Sequence, residues 1–181
     1  MIRPTFGIVL RAIGAAGAMA LMMLIADWSH QPLEGIPFAT SVMMVLAVPE
    51  AEFSRPINLV CGHLLCATCG VLATYLPPGP WQVPASFGAS VLLMLVTRTM
   101  HPPAGINALL PVTQGFGWTY LVNPVAIGLV LVIAYAMLFS RLAAAISPSP
   151  RRSLRPAPAL ASGSHAPRRD PAPRSPASGT P

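Results

Sequence analysis

Phe38-Ala-Thr-Ser-Val-Met-Met-Val-Leu-Ala-Val-Pro-Glu-Ala-Glu-Phe-Ser-Arg-Pro-Ile-Asn58 is echoed, forty-nine positions on and without a gap, by Phe87-Gly-Ala-Ser-Val-Leu-Leu-Met-Leu-Val-Thr-Arg-Thr-Met-His-Pro-Pro-Ala-Gly-Ile-Asn107. The pairs Phe38/Phe87, Ser41/Ser90, Val42/Val91, Leu46/Leu95, Ile57/Ile106 and Asn58/Asn107 are identical. Each copy is a short apolar segment, a break bearing proline and charge, and a second apolar segment opening near Ile-Asn. Paired short or proline-interrupted hydrophobic segments are the best sequence pointer to a transport site in a membrane protein. The repeat 38–58/87–107 therefore directs the reading of both fold and function.

Composition agrees with a bilayer. The chain of 181 residues is 54% hydrophobic and 9% charged, whereas a soluble domain is about a quarter charged. So few charges could not cover a globule of this size, but lipid needs no charged face. All eleven basic residues are arginine, and six of them (151, 152, 155, 168, 169, 174) lie in the C-terminal tail. The net charge of +6 is placed as in a membrane protein, so no nucleic-acid partner is expected. Cys61, Cys66 and Cys69 share one apolar segment, where thiols behave as small hydrophobes, and no disulfide framework is indicated. The first apolar run continues past a passable cleavage pattern at Ala18-Met19-Ala20 to Ala26. An uncleaved first span is expected.

A spanning helix needs about 20 mostly apolar residues. Segments 5–26, 57–76 and 121–142 qualify, the first if Arg11 snorkels and the last with Pro124 near its first turn. Segments 36–48, 83–96 and 104–112 are short, either full spans or half-helices. Counting all six as crossings puts Arg3, Arg55, Arg98, Arg141 and the tail arginines on one side, while connections 27–35, 77–82 and 113–120 hold no basic residue. This positive-inside pattern makes both termini cytoplasmic. Trp28, Trp81, Trp118 and Tyr120 supply an aromatic belt on the other side, and Asp27, His30 and Glu34 a polar exit for the first span. From residue 147 the chain is rich in Pro, Ala, Ser, Arg and Gly. Such a composition cannot build a core, so a membrane domain over 1–146 and a disordered cytoplasmic tail over 147–181 are expected.

The break in the second copy carries the most chemistry. A helix opening at Pro103, after Pro102, would aim unpaired N–H groups and a partial positive charge at the turn, and such a terminus attracts anions. Arg98 adds fixed charge, His101 a titratable donor, Gly105 room for close approach, and Asn107 an amide one turn in. The first copy places Arg55, Pro56 and Asn58 correspondingly, with Glu50 and Glu52 as candidate coupling groups paired with Arg55 or Arg98. His63 is an ionisable group inside a span, which usually marks function or the bundle interior. His63, Cys66 and Cys69 share a helix face and could hold a soft metal, although close-packed cysteine in a membrane helix is more often a small residue at a helix contact. Gly14 to Ala18 offers a small-residue packing face. No phosphate loop, catalytic triad or dinucleotide fingerprint appears, so neither an enzyme nor a cofactor is expected.

Met100-His101-Pro102-Pro103-Ala104-Gly105, followed by Ala108-Leu109-Leu110-Pro111, resembles the signature of the HPP family of integral membrane proteins. Phe53-Ser54-Arg55-Pro56-Ile57-Asn58 and Gly62-His63 also look like that family, and the likeness runs over about residues 8–142. The resemblance implies a bundle of transmembrane helices, usually described as four. It also implies a small-anion permease with nitrite as leading substrate, because members in chloroplasts and cyanobacteria are associated with nitrite transport. The expectation is thus an all-α polytopic transmembrane helix bundle of about four to six membrane segments, passing a small inorganic anion in a bacterial inner membrane as a homo-oligomer. Two alternatives stand beside it: a cation or metal carrier using Glu50, Glu52, His63 and the cysteines, and a non-transporting membrane scaffold.

Overall fold

The structure, a computed structural model, describes residues 3–29 and 36–146. The expected disordered tail, together with His30 and Glu34 of the polar exit, lies outside the described residues. Long apolar runs in lipid satisfy their backbone N–H and C=O groups by forming helices, and helix is the regular structure throughout the described residues. The α-helices are α1 (Arg3–Ser29), α2 (Ile36–Ala47), α3 (Pro56–Ala73), α4 (Gln82–Val96), α5 (Leu110–Gln114) and α6 (Ile127–Ile146). Short 3₁₀ turns occupy Glu52–Ser54 and Pro102–Ala108, and a widened π turn, Leu121–Ala126, leads into α6. Three helical stretches, Phe6–Trp28, Pro56–Ala73 and Leu121–Ile146, are long and apolar enough to cross a membrane; Phe38–Ala47 and Gln82–Val96 are shorter apolar helices.

The bundle is organised around α3. Over half of that span is buried (56%), against 17% and 22% for the first and last spans. Its neighbours include α4 and the 3₁₀ segment Pro102–Ala108. Gly62, Cys66 and Gly70 recur every four residues and so line one face of α3. A Cβ on Gly62 would come within 2.8 Å of His101 Cβ, and one on Gly70 within 2.7 Å of the Asn107 carbonyl oxygen. Small residues at this spacing let a second backbone lie against the helix. Ala104 and Ala108, both fully buried, face it from the 3₁₀ segment.

Hydrogen bonds define the two ends of the bundle. At one end Arg11 donates to the Ala47 carbonyl and pairs with Glu50, each at 2.7 Å, and His101 reaches the Phe53 carbonyl. At the other, Gln82 donates to the carbonyls of Ala73 (3.0 Å) and Leu76 (3.1 Å), and Trp118 donates to the Tyr75 hydroxyl at 3.1 Å. Residues 102–114 therefore travel beside α3 from one end to the other. A 3₁₀ helix rises about 2 Å per residue and an α-helix about 1.5 Å, so this stretch covers roughly as much height as α4. α6 returns along α1, where Tyr135 donates to the Gly14 carbonyl at 2.9 Å and Phe139 covers Gly14. The small-residue face of α1 is thus filled within the chain.

Three sequence expectations change. The α-helix expected from Pro103 is a 3₁₀ segment from Pro102. Prolines supply no N–H, and the ring of Pro111 would collide with the Asn107 carbonyl of a continuous α-helix. Glu50 pairs with Arg11 instead of Arg55 or Arg98, while Glu52 does meet Arg55, at 3.7 Å and exposed. Pro124 does not sit quietly in a first helical turn. Asn123 before it is extended (φ −131°, ψ 113°), as a residue preceding proline prefers, and regular α-helix begins at Ile127.

Candidate functional site

The two breaks meet at one end of the bundle, where His101 reaches the Phe53 carbonyl, and a single file of polar side chains runs inward from there. Tyr120 donates its phenolic proton to Asn107 Oδ1 at 2.6 Å. The Asn107 amide nitrogen donates to His63 Nδ1 at 2.7 Å, which leaves the proton of a neutral ring on Nε2. His63 Nε2–H then donates to Ser41 Oγ at 2.9 Å. At the other end the Phe53 carbonyl can only accept, so His101 donates to it from Nδ1, at 2.7 Å. His101 Nε2 therefore carries the lone pair, and the Ser41 hydroxyl donates to it at 3.0 Å. Read from both ends, the tautomers assigned this way agree. Every bond points from Tyr120 toward Phe53.

This file is dry. Ser41, His63, His101 and Asn107 have no exposed surface, and Tyr120 has 4%. Buried polar groups are tolerable when each is hydrogen-bonded, and here the chain of donors and acceptors achieves it. Packing fixes the geometry. Phe38 stacks on His63 with ring centroids 5.6 Å apart and planes 2° apart, and its far edge fills the space left by Gly128 on α6. The two imidazoles lie 5.3 Å apart, tilted by 39°. Gly62 permits the approach of His101.

The sequence candidates separate into two sets. His63, His101 and Asn107 belong to the buried file, with Gly105 buried beside it against Phe87. Arg55, Pro56, Arg98 and Pro102 are exposed at the break end, with Pro103 partly covered. Asn58 is buried but donates to the Glu52 carbonyl at 2.9 Å, tying down the first break. Arg98 has φ 56°, which turns the chain out of α4, and among the described residues it forms no ion pair. Cys66 points its thiol at Met94 Sδ, 3.9 Å away, and both nitrogens of His63 are engaged. Among the described residues no three His, Cys, Asp or Glu side chains gather as metal ligands would.

Ser41 and Tyr120 are functional candidates that sequence reasoning did not single out. Ser41 was visible as a polar residue inside an apolar run, and such residues in a span often hydrogen-bond between helices. Tyr120 read as a belt residue, and nothing in its neighbourhood announces Asn107 as its partner.

The fold and the site define an all-α polytopic membrane protein whose interior is built on a His-Pro-Pro break. The chain belongs to the HPP transmembrane-region family, whose model matches residues 3–148. It is also similar to two transmembrane proteins of Dictyostelium discoideum, one 30% and the other 27% identical over 115 residues, 59% of this chain. The match spans 37% and 40% of the length of those relatives. No solved structure matches.

Proposed function

We propose that this protein is a permease for a small monovalent anion, nitrite first, and that the anion passes where the two breaks meet. The observation that carries the reading is the buried file Tyr120–Asn107–His63–Ser41–His101, an uncharged and continuous string of hydrogen-bonding groups running inside the bundle. Polar and ionisable groups inside membrane spans are costly and concentrate on solute pathways. Arg55 and Arg98 flank the break end, Arg98 without an ion pair among the described residues, and attract anions toward it. Arg11 is neutralised by Glu50 and contributes less. The imidazole and amide N–H groups supply donors that replace part of the anion's hydration shell.

In this reading the arginine-bearing end faces the cytoplasm of a bacterial inner membrane, residues 1–146 are the transport unit, and several copies assemble in the bilayer. Uptake into vesicles carrying the purified protein tests it. Nitrite should enter faster than into protein-free vesicles, and divalent metal ions should not. Metal uptake without nitrite uptake would replace the anion reading with a cation carrier, and uptake of neither would leave a scaffold.

A further inference from the structure

Two imidazole nitrogens converge on one hydroxyl. Ser41 Oγ is 2.9 Å from His63 Nε2 and 3.0 Å from His101 Nε2, so a small group in the place of that hydroxyl would meet both rings. The ionisable groups around this point are few. α2 and α4 contain none within Ile36–Ala47 and Gln82–Val96. α3 contributes Cys66 and Cys69, and the 3₁₀ segment Pro102–Ala108 contributes only the neutral Asn107. Tyr120 reaches the rings through Asn107. Glu50, Glu52, Arg55 and Arg98 are exposed at the break end, with Glu50 and Glu52 paired to Arg11 and Arg55. Among the described residues no carboxylate faces the two histidines. Among those residues a proton added here has no resident counter-charge, and an uncompensated charge in such a medium is expensive.

We propose that His63, Ser41 and His101 bind one proton together with one monovalent oxyanion, so that anion passage is coupled to proton passage. This rests on the permease reading above and deepens it. A proton delivered from water adds to the lone pair of His101 Nε2, and the donating hydronium reverts to water. The Ser41 hydroxyl loses His101 Nε2 as an acceptor and rotates away from it. The Nε2–H of His101 and the Nε2–H of His63 now point at one position, and an anion oxygen there accepts both bonds. The anion supplies the negative charge that the histidine cluster lacks. When the anion leaves, the proton leaves His101 Nε2 with it, and the Ser41–His101 bond reforms. One proton and one anion cross per cycle, and no net charge moves. Ser41 is a positioning residue: it holds the two Nε2 atoms around one spot.

The test uses the full chain in liposomes that enclose a pH-sensitive dye, with a nitrite gradient imposed and the membrane potential clamped by potassium and valinomycin. Internal acidification should track nitrite entry one for one, above that of protein-free vesicles, and should not change with the clamped potential. Ser41→Ala leaves the buried Nε2 atoms of both rings without the partner that holds them around one spot, a loss of up to about 3 kcal/mol, or roughly a hundredfold in rate, so it should slow acidification and nitrite entry together by about tenfold or more. Ser41→Thr keeps the hydroxyl and should retain coupling. Nitrite entry that leaves the lumen pH unchanged, or that responds to the clamp, would overturn the coupling and leave the permease standing. If no nitrite enters, the permease reading falls, and nitrogen NMR of the histidines decides the binding step. A His101 that gains a proton only when nitrite is added supports the proton–anion pair, and a His101 that stays neutral overturns it.

Discussion

Arg98 occupies a left-handed backbone conformation, φ 56°, that costs a non-glycine residue about 1–2 kcal/mol. Glycine would hold the same turn without that cost, so Arg98→Gly should raise the thermal unfolding midpoint in detergent while weakening anion uptake. A variant that loses stability would show that the guanidinium holds the fold. Arg98→Gln should likewise reduce uptake more than Arg141→Gln does; equal effects would mean that the arginines act through topology alone. Glycines supply a second pair. An added Cβ at Gly70 meets the Asn107 carbonyl and Pro111, whereas Gly88 has nothing within 4 Å. Gly70→Ala should cost about 1–3 kcal/mol by overpacking, and Gly88→Ala should gain up to about 1 kcal/mol in helix propensity. Thermal melts that rank the two the other way would contradict the close packing of the 3₁₀ segment on α3. Residue chemistry was legible for His63, His101 and Asn107, because ionisable and amide groups in apolar runs need a physical reason to be there. The bridging role of Ser41 was not, since it depends on three elements distant in sequence arriving at one point.

At the scale of elements, the repeat announced two helix–break–helix units, and both exist. Their second halves then diverge. The first break leads into α3, which after Pro56 has no further proline and runs for 18 residues. The second leads through Pro102 and Pro103 toward Pro111, and Pro111 interrupts any α-helix that would run on through it. The prolines showed that the segment would be short or broken. That it becomes a 3₁₀ strip could not be read locally, because the groove of Gly62, Cys66 and Gly70 that accepts it belongs to another helix. The strip carries the chain from one end of α3 to the other, so Thr97 and Gly117 should lie on opposite faces of the membrane. Single cysteines introduced at these positions should react with an impermeant maleimide from opposite sides, each measured against the wild-type background. Labelling of both from one side would make residues 102–114 a re-entrant loop.

Over the whole molecule, the end that carries Arg11, both breaks and the last turns of α6 carries the basic residues of the described chain, a placement the positive-inside rule translates into orientation. The expected alternation of six segments rests on where arginine is absent as much as on where it is present, and three of the six are long and apolar enough to span as single helices. The composition beyond residue 146, rich in Pro, Ala, Ser, Arg and Gly, cannot build a core of its own, and a chain ending there should retain its nitrite flux in vesicles; loss of flux would assign the tail a part in transport or assembly. Central to all of this is the claim that the meeting point of the breaks conducts. Ser41 and Ser90 occupy equivalent positions in the repeat, yet Ser41 bridges the two imidazoles while Ser90 bonds to the Ser86 carbonyl of its own helix at 2.8 Å. Initial rates of nitrite uptake for the two alanine variants in one vesicle preparation compare them directly. Ser41→Ala should fall by about tenfold or more while Ser90→Ala stays within about twofold of wild type; equal losses, or a Ser41→Ala rate indistinguishable from wild type, would contradict a conducting path at the junction.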